Sequence, residues 1–190
     1  MDFEEKLNNF AELSIKVGIN LQKGQRLLIR APIETAEYVR KLVDVAYKAG
    51  SPLVEVVWSD DKNIISRFNY ATNNSFDMVS VMERDALEKI VDEGGATIKV
   101  YASDPELFKD VDQEKLARLI KKGQAESQAV SARIGASEIS WLVVSAATPA
   151  WAAKVFPNLN PEEQKAKLWD AIFKATRSDL QDPVGAWKDH

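Results

Sequence analysis

Three aspartates stand where metal chemistry could sit: Asp60 and Asp61 in WSDD, and Asp104 in SDPE. Carboxylate oxygens suit hard cations, so the trio is a candidate Mg²⁺ site. Each residue also has a plainer use, because Asp belongs at helix N-caps. Glu34 and the pair Thr148-Pro149 hold comparable places just after apolar runs. No basic residue near them is obviously placed for phosphate transfer. Most other chemistries lack their residues. The chain has no cysteine, which excludes a thiolate nucleophile, a thiolate metal site and a disulfide. Its one histidine is the last residue, His190, so a Ser-His-Asp set would need an ordered, buried chain end. There is no HExxH and no pair of histidines to hold zinc. Neither GxGxxG nor GxxxxGK occurs, and Gly94-Gly95 precedes an apolar run rather than following one, as a turn does. The five tryptophans, at 58, 141, 151, 169 and 187, are spread through predicted elements and read as core packing.

These residues need elements to position them. Residues 3 to 17 read as an amphipathic helix with Phe3, Leu7, Phe10 and Val17 on one face and Gly18 as its cap. Leu27 to Ala31 is a strand that is apolar on both sides, as in a covered parallel sheet. A helix from Glu34 to Ala49 carries the stripe Ala36, Val39, Val43 and Ala46, and Gly50 can take a left-handed cap. Leu53 to Trp58 is a second strand. Residues 59 to 75 are polar and have no clear period. A helix is expected from about Phe76 to Glu93, then a third strand from Ala96 to Tyr101. A long helix follows over 112 to 134. Its inner positions include Gly123 and Ser127, so either another backbone approaches there or the helix breaks. Ile139 to Ala146 is the fourth strand. Asn160-Pro161-Glu162-Glu163 opens the last helix with an N-cap, a proline at N1 and a capping box. Leu168, Trp169, Ile172 and Phe173 form its apolar face.

Alternation of helix and strand implies an α/β fold: a mostly parallel sheet of about four or more strands with helices on both faces. In such sheets ligands sit at the carboxyl ends of the strands, where Glu34, Asp60, Asp61, Asp104 and Thr148 would lie. The totals agree with one globular domain, or one domain plus an appendage: 190 residues, 45% hydrophobic, 28% charged. A net charge of −4 argues against nucleic acid as a partner. No stretch approaches a membrane span, and MDFEEKLNNF lacks the basic start and apolar run of a secretory signal. With no cysteine, a cytoplasmic location is expected.

One string is more specific than any of this. SWLVVSAATPAWAAKVFP, residues 140 to 157, resembles the thermophilic-type metal-dependent aminopeptidases, the aminopeptidase T, aminopeptidase S and aminopeptidase II family. FEEKLNNFAELSIKVGINLQKGQRLLIRAPIETAEYVRKL, VVWSDD and KLWDAIFKATRSDLQDPVGAWKDH are similar to that family too. The likeness covers essentially the whole chain and is weakest over about 70 to 95. It implies an N-terminal α/β domain over 1–175, with 176–190 starting the connection to a C-terminal catalytic domain. It further implies peptide substrates, a homodimer, and two divalent ions (zinc or cobalt) bound in that C-terminal half. No metal ion is expected in this chain, and no metal ligand or catalytic residue of the family carries over to a position here. Within ATPAWAAKVFP, Thr148 is an expected N-cap and Pro149 the N1 residue of a short helix. Trp151, Val155 and Phe156 then form a candidate interface with the C-terminal domain or a second subunit. The alternative is a stand-alone binding or regulatory module with a weak Mg²⁺ site at Asp60, Asp61 and Asp104.

Overall fold

The computed structural model describes residues 1–102 and 104–188. Apolar runs flanked by turn residues become four strands: β1 (Leu27–Pro32), β2 (Val54–Ser59), β3 (Ala96–Tyr101) and β4 (Ser140–Ser145). They form one parallel sheet in the order β2-β1-β3-β4. The chain winds outward from β1 to β2, then crosses back to β3 and on to β4. The reversal leaves a switch point between β1 and β3, where a crevice opens at the carboxyl ends of the strands.

Helices cover both faces. On the first face, Ile29, Ile98 and Val144 meet α1 (Phe3–Leu13), α2 (Ala36–Lys48) and α7 (Pro161–Thr176). On the second, Leu28 meets Leu87, Ile90 and Val91 of α4 (Met82–Asp92) and Val130 of α5 (Gln113–Gly135). Placing α2 opposite α4 and α5 is what right-handed crossovers require when the winding direction reverses. Local signals fix the ends. Asp2 and Glu5 close a capping box on α1. Asn160 accepts the Glu163 amide at 3.0 Å and Pro161 stands at N1 of α7, although only this half of the expected capping box forms. Gly50 has φ +93°, the left-handed value that ends α2.

Several sequence expectations need correction. The first helix gives way at Ser14 to a π-helical turn, Ser14–Gly18. There Ser14 Oγ donates to the Phe10 carbonyl and receives the Tyr38 hydroxyl, each at 2.8 Å. Gly18 is not the left-handed residue; Asn20 is, at φ +46°. Gly18 instead makes room, because a Cβ there would lie 2.6 Å from Leu142 Cδ2. The buried stripe of α2 is Tyr38, Val39, Leu42, Val45 and Ala46, rotated from the expected one by the pull of Tyr38 into the core. Phe76 does not open a helix. It is buried in a 3-10 turn, Asn73–Asp77, against Phe68, and α4 starts at Met82. The unassigned polar stretch holds α3 (Asp61–Tyr70), which buries no residue fully and so shows no strong period. Neither reading of Gly123 holds. α5 runs through it unbroken, and outside its own helix backbone no atom lies within 4 Å of a Cβ placed there.

The tryptophans are also redistributed. Trp169 is buried and Trp151 half-buried, but Trp58, Trp141 and Trp187 are 41%, 45% and 37% exposed. The segment after α7 packs against α1. Asn9 donates to the carbonyls of Ser178 and Leu180, and α8 (Pro183–Lys188) lies against α1. The notion of a buried His190 falls outside the described residues.

Candidate functional site

Each strand delivers one group to the switch-point crevice. Beyond β1, Thr35 Oγ1 donates to the Pro32 carbonyl at 2.7 Å and tightens the turn that carries Glu34. Beyond β2, Asp60 caps α3 by accepting the Lys62 amide at 2.8 Å, which leaves Asp61 at the helix start facing the opening. Beyond β3, Asp104 accepts the Glu106 amide at 2.8 Å. Beyond β4, Thr148 Oγ1 donates to the Ala102 carbonyl at 3.0 Å and ties the two strand exits together. Thr148 thus holds the N-cap position of α6 (Pro149–Val155) without capping it through its side chain. The crevice has a volume of about 350 Å³ and is lined by Glu34, Asp61, Lys62, Asp104, Leu107 and Thr148.

Of the residues marked by sequence, Glu34, Asp61, Asp104 and Thr148 come together and Asp60 turns to capping. Lys62 and Leu107 were not foreseen; Lys62 follows Asp60 by two positions, which is where a capped helix begins. Loss of solvation raises the pKa of Glu34 above its ordinary value. The charges of Asp61, Asp60 and Asp104 raise it further, and Lys62 offsets part of this. The Mg²⁺ alternative at Asp60, Asp61 and Asp104 is not assembled. Among the described residues no group of three His, Asp or Glu side chains is placed to hold a metal ion, and Asp60 and Asp104 each accept a backbone amide.

The aromatic string lies on the other side of the same edge. Ala152 of α6 is buried, Trp151 and Phe156 lean on the first-face core, and Val155 is exposed. Trp151 also borders an apolar groove of about 660 Å³ beside β4, together with Leu13, Val17, Leu142, Ile172 and Trp187. Sequence pattern did not reveal this groove, since its walls come from both ends of the chain.

A reversing parallel order with a crevice at the switch point defines a doubly wound α/β domain. The thermophilic metalloprotease (M29) family matches residues 3–190, and the chain belongs to that family. It is 38% identical over 188 residues to aminopeptidase 2 of Geobacillus stearothermophilus and 36% identical over 188 residues to aminopeptidase T of Thermus thermophilus. Each alignment spans 99% of this chain and 46% of the relative. The structure of wild-type AmpT from Thermus thermophilus superposes with a TM-score of 0.92 at 34% identity, covering 100% of this chain and 46% of that one. The chain therefore spans just under half the length of the relatives it matches.

Proposed function

We propose that these residues are the N-terminal domain of a metal-dependent aminopeptidase about twice as long, which removes N-terminal amino acids from peptides. The observation that carries this reading is the full-length likeness to aminopeptidases of which the chain covers 46%. In this account the C-terminal half would hold two divalent ions, zinc or cobalt, which would supply an activated water and a polarised scissile carbonyl. Among the described residues no cluster fits such a centre, so no step of the reaction is assigned to them, and this reading expects the domain alone to be inactive. Residues 1–175 are its body and 176–190 begin the connection onward. The parent works in the cytoplasm as a homodimer.

The domain contributes shape and contact surface. Trp151, Val155 and Phe156 border the carboxyl edge and form the seat for the C-terminal half or a second subunit. Trp151→Ala should weaken that association in the full-length protein while the melting temperature of the isolated domain stays within a few degrees; unchanged association would remove the assignment. The whole reading is tested by the mass of the native protein in its source cells, detected with an antibody to this domain. A mass near twice 21.2 kDa is expected. A mass near 21.2 kDa would overturn it.

A further inference from the structure

The two edges of the sheet are guarded differently. An edge strand leaves a row of N–H and C=O groups open, and proteins guard such rows with charge, proline or a bulge. β2 carries Glu55, which is paired with Arg26. β4, SWLVVS, has no charge and no proline, and it runs in unbroken register with β3. Its side chains are apolar on both faces, as in a strand covered on all sides. Leu142 and Val144 face the first core, while Trp141 and Val143 stand 45% and 52% exposed on the second face. The Ala146 amide donates to the Tyr101 carbonyl, so the even-numbered residues of β4 bond to β3. Trp141, Val143 and Ser145 therefore turn their N–H and C=O groups to the open edge, and among the described residues no strand pairs with them. The apolar groove of about 660 Å³ runs along this edge and takes in Leu142 to Ser145. Its far wall is α7, which presents the exposed Ala171 and Ala175, small side chains one turn apart.

The opening selects an extended occupant. A row of backbone donors and acceptors is met in full by another strand, which also sends every second side chain into the groove. Trp187 of α8 borders the groove and is held there by donating Nε1 to the Thr176 carbonyl at 2.7 Å. The last described helix thus brings the chain to the groove. The relatives, of which this chain spans 46%, have more than half of their length outside the matched part. A segment tethered this close meets the edge at high effective concentration. We propose that β4 receives a fifth strand from the part of the longer protein that follows residue 190, pairing with Trp141, Val143 and Ser145 and filling the groove with apolar side chains. This rests on the aminopeptidase reading, which supplies that part.

The test is residue-resolved hydrogen exchange on the longer protein and on the 190-residue chain. The amides of Trp141, Val143 and Ser145 should exchange on the order of a hundredfold more slowly in the longer protein, at every protein concentration. Those of Leu142 and Val144, already bonded to β3, should be slow in both. Ala171→Glu places a charge on the groove wall at an exposed helix position. It should speed the three edge amides roughly tenfold in the longer protein and leave the melting temperature of the 190-residue chain within a few degrees. Equal exchange of those amides in the two proteins, or no effect of Ala171→Glu on them, would overturn the proposal. Protection that fades on dilution would also overturn it, by giving the edge to a second copy. Each of these results leaves the aminopeptidase reading standing. A native mass near 21.2 kDa would remove the reading and the fifth strand together.

Discussion

On the first face of the sheet, Phe10 stacks on Tyr38 at 4.8 Å and Trp169 stacks on Phe173 at 5.2 Å, under three helices. On the second face, α4 and α5 bury Leu28, Val130 and their neighbours, then cover stops. Lys99, Tyr101, Trp141 and Val143 remain in solvent. The same four strands supply both faces, so strand propensity does not explain the difference. What differs is the helix that lies over each. α1, α2 and α7 put four aromatic rings into the first core, whereas α5 buries one residue fully in its 23. Stability is therefore concentrated on the first face.

Substitution on each face is the strongest way to break this contrast. Trp169→Ala should cost ~3–5 kcal/mol in urea unfolding, the range for a large aromatic removed from a core. Val143→Ala, 52% exposed on the second face, should stay within about 0.5 kcal/mol. Comparable losses at the two sites would end the comparison. A smaller effect sharpens it within the first core. Ser14 has one hydroxyl proton and gives it to the Phe10 carbonyl, so Tyr38 is the donor in its bond to Ser14. Burial raises the Tyr38 pKa. Tyr38→Phe should cost about 1 kcal/mol, as for one buried hydrogen bond. No loss would mean the hydroxyl is not bonded in solution.

The smallest effect lies at the crevice. Glu34 has a raised pKa, so between its unfolded and folded values the native state binds more protons. Stability then falls as pH rises through that window. Glu34→Gln should flatten this slope and add a few tenths of a kcal/mol near neutral pH, the scale of an exposed charge interaction. A steeper slope in the variant would contradict the charge assignment.

Legibility in the sequence followed how local each signal was. β3 was read at its true bounds because ATIKVY lies between Gly94-Gly95 and a turn. The start of α7 was equally plain from Asn160 and Pro161. The stripe of α2 departs from its aliphatic period because Tyr38, which carries a polar hydroxyl, is fully buried with that hydroxyl satisfied. At the π-helical turn Ser14 bonds to Tyr38 across 24 residues, a contact that no local period can encode. At the crevice, Glu34, Asp61 and Asp104 were legible from the rule that strand ends gather ligands. Asp60 joined them only because capping and ligation favour the same residue.

On the proposed reading, the chemistry of the parent protein lies outside these 190 residues. The most direct test is hydrolysis of an aminoacyl-arylamide by the purified chain, with Co²⁺ or Zn²⁺ added and then chelated. The expected rate equals that of the metal ion alone. Metal-dependent hydrolysis above that blank, lost on chelation and restored on reloading, would contradict the account and place a working site within this domain.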